Sequence, residues 1–220
     1  MASNLPGLFS AGDISANGSS WSGAVPTPPG RNRGSGLINA VYTASIAGPS
    51  AVKYIANIDE VKVSDEQIAE ITKEIYAPIE RFEGTTPAEI EWRIKSLLQY
   101  IPYSNYKSEE RLLEAIKEVE KLKIEETKLV ANDWHDLAKA NACKAMILCA
   151  EMFFRGSLAR KESRGWHIRE DYPERDDRNM LKWIDFQKGE NGEMVMSFTD
   201  IPMETYKYQP EGWVAPHPIG

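Results

Sequence analysis

The fifteen residues from Ser163 to Asp177 read SRGWHIREDYPERDD, and nine of them are Arg, Asp, Glu or His. Such a density of both signs can do two kinds of work. It can pass protons between acid and base, or it can tie chain segments together through paired, hydrogen-bonded charges. Trp166 and Tyr172 lie inside the run. A solvated loop has no need of those rings, and a core does not admit unpaired charges. The pattern predicts an ion network of Arg164, His167, Arg169, Glu170 and Asp171, with Trp166 and Tyr172 supplying apolar area. Its expected role is structural, at a seam between domains.

A second set lies near the other end. Asp13 closes the short apolar piece Leu8-Phe9-Ser10-Ala11, which reads as a buried strand. A carboxylate at a strand tip can accept hydrogen bonds from ligand hydroxyls. Gly34, Ser35, Gly36 and Leu37 open a helical pattern. The free amides of a helix start favour negative charge. Arg31 stands just ahead of them, with Asn32 and Arg33 as alternatives if the register slips. Its guanidinium is a fixed planar fork that suits a carboxylate.

These groups must be positioned by something. Residues 37–56 look helical, with small residues at Ala40, Ala44, Ala47 and Gly48 for close packing and Pro49 expected to kink or break the helix. Four amphipathic helices follow. The first spans about 65 to 82, with Ser64 and Gln67 as a capping box and Ile68, Ile71, Ile75 and Ile79 as its stripe. The second starts at Thr86-Pro87-Ala88-Glu89 and buries Ile90, Ile94, Leu97, Leu98 and Ile101. The third spans about 108 to 130, with Leu112, Leu113, Ile116, Val119 and Leu122 inside. The fourth, about 133 to 160, is opened by Asn132 or Asp133 and is apolar most of the way round, so it should be central. Residues 181–186 and 194–198 flank Gly189-Glu190-Asn191-Gly192 as a β-hairpin, and 206–220 reads as an extended tail. The fold class is mainly α: a bundle of three to four helices with a C-terminal hairpin. Expected domains are 1–60, 61–178 and 179–220.

Bulk properties exclude several classes. The chain has 220 residues and a formal net charge of −7, so a nucleic-acid backbone is not an expected partner. Apolar runs are too short to span a membrane, and the N-terminal residues lack the basic and apolar regions of a signal peptide. Cys143 and Cys149 fall on opposite faces of one helix, which predicts neither a disulfide nor a metal pair and fits a reducing cytoplasm.

LPGLFSAGD at 5–13 resembles the second half of the FAD-binding domain in the fumarate reductase and succinate dehydrogenase flavoprotein family. There a strand ends in A-G-[ED], and Arg31 with Gly34-Ser35-Gly36-Leu37 looks like the family's R-x-G-x-N-S-L element. SRGWHIREDYPERDD looks like its S-R-G-x-H-x-R-x-D-x-P-x-R-D-D element. The long loop between Asp13 and Arg31 is more like the adenylylsulfate reductase alpha subunit, although the His found in that loop is absent here.

The resemblance implies that 1–60 is the remnant of an FAD-binding α/β domain. Asp13, Arg31, Gly34, Ser35, Gly36 and Leu37 would touch FAD, and Arg31 would also clamp a small anionic substrate. The chain contains no G-x-G-x-x-G, the strand–helix motif that holds the FAD pyrophosphate. A C-terminal piece or the small subunit of a split flavoprotein is therefore implied. A second polypeptide region with that motif and the capping domain would complete the site, and an iron–sulfur subunit would exchange electrons with it. The alternative is a helical scaffold with no enzymatic role and a flexible glycine-rich arm.

Overall fold

Asp133 caps the longest helix among the described residues, its carboxylate accepting the Asp136 amide at 2.8 Å. In the computed structural model, which describes residues 1–15 and 36–201, two compact units are distinguished, 1–63 and the described residues from 64 onward. The expectations for Arg31, Asn32, Arg33, Gly34, Ser35 and the tail 206–220 lie outside the described residues.

In the first unit, helix α1 runs Gly36–Ile55. It continues through Pro49, so the expected break does not occur. Gly48 precedes the proline and has no Cβ for its ring to strike. Thr43 and Ala47 are its buried residues. The N-terminal segment packs here too: Phe9 meets Tyr54 edge to face at 6.0 Å, and Gly12–Ser15 form a 3-10 turn. The expected buried strand at 8–11 is not formed. Only an isolated bridge joins Ala2 and Phe9, and Leu8 is exposed, because no neighbouring strand is present among the described residues to complete a ladder.

The second unit begins with helix α2, Asp65–Tyr76, closed at its start by the Ser64–Gln67 capping box. It passes into a 3-10 turn, Ala77–Glu80, because Pro78 has no amide to continue the α ladder. Three helices then share one core: α3 Pro87–Gln99, α5 Glu109–Glu126 and α6 Trp134–Ala159, with the one-turn α4 Ile101–Ser104 between the first two. Ile90, Ile94, Leu112, Val119, Leu122, Ile147 and Phe154 fill that core. Each such side chain contributes roughly 1.5–3 kcal/mol by leaving water.

Four stripes differ from expectation. Ile68, Ile71 and Ile75 of α2 are exposed, because α2 is tied to the bundle only near its C-terminal end. There Asn141 Nδ2 donates to the Ile75 carbonyl at 3.1 Å, Lys144 pairs with Glu74 at 3.2 Å, and Tyr76 meets Trp134 edge to face. Leu98, Ile101 and Leu113 are also exposed. Helix α6 buries one stripe rather than its whole circumference, leaving Leu148 and Phe153 exposed.

Two small sheets complete the unit. β1 (Tyr106–Lys107) pairs in parallel with β2 (Ile168–Arg169). After the one-turn α7, Asp177–Met180, the expected hairpin forms from β3 (Lys182–Lys188) and β4 (Met194–Asp200). The Phe186 ring lies over Gly156 of α6, where a Cβ would stand 3.4 Å from it, in ordinary contact. Among the described residues, no helix is long and apolar enough to cross a membrane, and no metal-binding cluster occurs. Cys143 and Cys149 are free thiols, the first buried and the second exposed.

Candidate functional site

In the first unit the structure brings the tip of the N-terminal segment onto the start of α1. Gly12 has φ +76°, a conformation glycine adopts without steric cost, and a Cβ on it would meet Ala40 Cβ at 3.5 Å. The Gly12 amide donates to Thr43 Oγ1 at 2.7 Å. Asp13 follows on the exposed side of the turn. Its Oδ2 lies 3.8 Å from the point a Cβ on Gly36 would occupy. Asp13 therefore stands beside Gly36, the first described residue of α1. Leu37 is exposed beside it. A carboxylate and a helix start at this spacing can receive hydroxyl donors and stabilise negative charge on one ligand.

The charged segment forms the second constellation, within the second unit. Arg169 is fully buried. Its Nε and Nη2 grip Asp171 at 2.8 and 2.7 Å, and its Nη1 donates to the carbonyls of Ser157 and Leu158 at the end of α6. Asp171 Oδ2 in turn accepts the Glu109 amide at 2.8 Å, at the start of α5. The cation thus meets a helix C-terminus and the anion a helix N-terminus, which is the favourable sense for both dipoles. Hydrogen bonds from Arg169 hold the Asp171 carboxyl at about 2, well below the usual range. Tyr172 stacks over the guanidinium at 5.0 Å. Glu170 pairs with Arg111, which also donates to the Tyr106 carbonyl at 2.7 Å.

Glu162 is the hub of the other half. It is fully buried, receives Nε and Nη2 of Arg164 at 2.9 Å each, and accepts from Arg160 at 2.7 Å and from the Asp176 amide at 2.8 Å. Arg164 also pairs with Asp177. Burial works against the Arg164 charge, yet those two carboxylates hold its pKa up. His167 Nε2 lies 3.1 Å from the Arg160 carbonyl, which can only accept, so the imidazole carries its proton on Nε2. Burial, reinforced by Lys107, Arg160 and Arg169, pushes its pKa down to about 4. His167 is a neutral donor holding a helix end.

Arg164, His167, Arg169, Glu170 and Asp171 are thus brought together around the α6 terminus. Trp166 departs from expectation, being exposed, while Tyr172 is half-buried. Sequence reasoning missed Glu162, which a wider reading of the ionisable run by one residue would have included. It missed Thr43, whose signal was a hydroxyl between the small residues Ala40 and Ala47. It also missed Lys107, an isolated lysine in a polar stretch that carries no signal.

A family model described as "Fumarate reductase flavoprotein C-term" matches residues 106–214. That range holds the whole Glu162–Asp177 network. The chain belongs to the fumarate reductase and succinate dehydrogenase flavoprotein family. It is 29% identical over 194 residues to the succinate dehydrogenase flavoprotein subunit of Bacillus subtilis, covering 81% of this chain and 31% of that one. An uncharacterised FAD-dependent oxidoreductase of Methanocaldococcus jannaschii is 30% identical over 176 residues, with 78% and 30% covered. Among solved structures, adenylylsulfate reductase of Archaeoglobus fulgidus superposes with a TM-score of 0.70 at 25% identity, covering 76% of this chain and 29% of that chain. The chain therefore spans about a third of the length of the curated flavoproteins it matches.

Proposed function

We propose that this chain supplies the C-terminal part of an FAD-dependent oxidoreductase of the fumarate reductase and succinate dehydrogenase type. Residues 1–60 would complete the flavin site, and the helical bundle is the family's C-terminal domain. The observation that carries this reading is the seating of Asp13 beside the first residue of α1. The described residues fit FAD: Gly12, at φ +76°, turns the backbone onto the helix, and Gly36 itself adds no side chain beside the Asp13 carboxylate. Asp13 would accept the cofactor's sugar or ribityl hydroxyls. Amides at Gly36 and Leu37, with Gly34 and Ser35, would face its anionic end. Arg31 would hold the carboxylate or related oxyanion of a small substrate. When bound, FAD supplies the hydride and electron chemistry.

The partners of this reading are a polypeptide region with G-x-G-x-x-G and the capping domain, and an iron–sulfur subunit that exchanges electrons with the flavin. This reading takes the complex to be cytoplasmic, with any membrane association made through its partners; Cys143 and Cys149 on one helix cannot pair and ask for no oxidising compartment. Purification of the native assembly tests this. A yellow complex is expected, and Asp13→Ala is expected to lower its FAD content at least severalfold. A colourless complex, or full FAD content in Asp13→Ala, sinks it.

A further inference from the structure

Thr43 lies in the second turn of α1 and is 3% exposed. A mid-helix threonine ordinarily returns its hydroxyl proton to the preceding turn, and Thr43 does so, donating to the Asn39 carbonyl at 2.6 Å. Its oxygen is also an acceptor, and the Gly12 amide, 31 residues away in sequence, uses it at 2.7 Å. One hydroxyl thereby joins the helix backbone to the tip of the N-terminal segment. The contact is specific to this chemistry. Valine fills nearly the same volume but offers nothing to a buried amide, whose loss of a partner is costly.

The neighbours of Gly12 give the bond its meaning. Gly12 also lies over Ala40, one helical turn from Thr43, at a distance where a Cβ would make ordinary contact, so the tip rests on the helix beside the hydrogen bond. Asp13 is the next residue, and its carboxylate reaches Gly36, seven residues before Thr43. A shift of the tip by a fraction of a turn would carry the carboxylate away from the helix start. We propose that Thr43 is the positioning residue of this cofactor site: its hydroxyl sets the distance between the Asp13 carboxylate and the opening amides of α1. This rests on the proposed flavin site and deepens it. Thr43 itself touches no cofactor.

The test uses the assembled flavoprotein, with Thr43→Val, Thr43→Ser and Asp13→Asn compared with the natural sequence. The first readout needs no flavin: amide hydrogen exchange at Gly12 in the FAD-free protein. Protection is expected in the natural sequence and in Thr43→Ser, with exchange at least tenfold faster in Thr43→Val. An unprotected Gly12 amide in the natural sequence overturns the proposal whatever the variants do. The second readout is the FAD dissociation constant. It should rise about tenfold in Thr43→Val and in Asp13→Asn, and stay within about threefold in Thr43→Ser. If Asp13→Asn weakens FAD while Thr43→Val, equally folded, does not, the positioning role fails and the flavin reading survives. If neither substitution alters FAD affinity, both fall together.

Discussion

Lys107 and Arg169 are register partners in the parallel β1–β2 ladder, and both cationic side chains are almost wholly buried. Their surroundings differ. Arg169 spends its donors on Asp171 and on helix-end carbonyls, whereas Lys107 Nζ faces the Phe153 ring at 5.5 Å. Burial, followed by the neighbouring Arg169 charge, pulls the Lys107 pKa down to about 8.

Lys107 therefore costs stability while it is charged. Between about 8 and its ordinary value of 10.5 the unfolded chain holds the proton that the folded chain has released. Stability attributable to this group is thus greatest above pH 10.5 and falls as pH drops to 8. Lys107→Met is expected to raise unfolding free energy at pH 7 by about 1–3 kcal/mol and to flatten its rise between about pH 8 and 10.5. Urea unfolding at several pH values measures both. A destabilised Lys107→Met would mean that the ammonium is a net stabiliser.

His167 sets a second window. Its folded pKa, about 4, lies below its ordinary 6.5, so the stability it lends is complete above pH 6.5 and is lost as pH falls toward 4. The loss should be roughly 2 kcal/mol after allowance for its partial exposure. Replacement by Gln keeps a side-chain donor toward the Arg160 carbonyl and should remove this dependence. NMR titration of the imidazole checks the assignment directly, and a midpoint near 6.5 would contradict it.

Removing Arg169 leaves Asp171 without its fork and the α6 carbonyls without their donor. Arg169→Ala is expected to cost about 3–5 kcal/mol of stability, and Arg169→Lys to recover less than half of that. Calorimetry of the three proteins decides this. In the flavoprotein proposed above, the same change should reduce yield more than turnover per bound flavin. Normal assembly combined with a lost chemical step would give Arg169 a different role.

Gly84 makes a purely steric case. Its φ is +155°, and a Cβ there would stand 1.9 Å from the Lys128 carbonyl oxygen. The clash is with backbone that exchanges hydrogen bonds with Thr85, including Thr85 N–H to the Lys128 carbonyl at 3.1 Å and Val130 N–H to the Thr85 carbonyl at 3.1 Å. Gly84→Ala should lower stability by about 2–4 kcal/mol, a large value for the addition of one methyl. A thermal midpoint unchanged within a degree would refute the strained geometry.

Much of this fold is legible in the chain itself. Ser64, Thr86 and Asp133 mark helix starts because a short side-chain oxygen can reach an amide only from that position. The hairpin shows in its turn residues and change of period. The stripes of α2 and α6 mislead for one reason: periodicity reports that a face is apolar, and cannot report which chain covers it. The strand expected at 8–11 misleads similarly, since a ladder needs a neighbour. At the candidate sites, Asp13 and the Arg169 cluster stand out by type and spacing. Thr43 carries only a faint local sign, a hydroxyl between small residues, and its partner Gly12 lies 31 residues away; Lys107 acquires meaning only from residues distant in sequence.

Helix α2 holds twelve residues, none of them buried. A helix of that length is marginal in water when nothing covers it. Its order is then borrowed from the tether at its end. Amides of residues 65–76 should exchange well ahead of those in α5 and α6, whose inner faces are buried, with the loss of protection running from the Ser64 end toward the Asn141 contact.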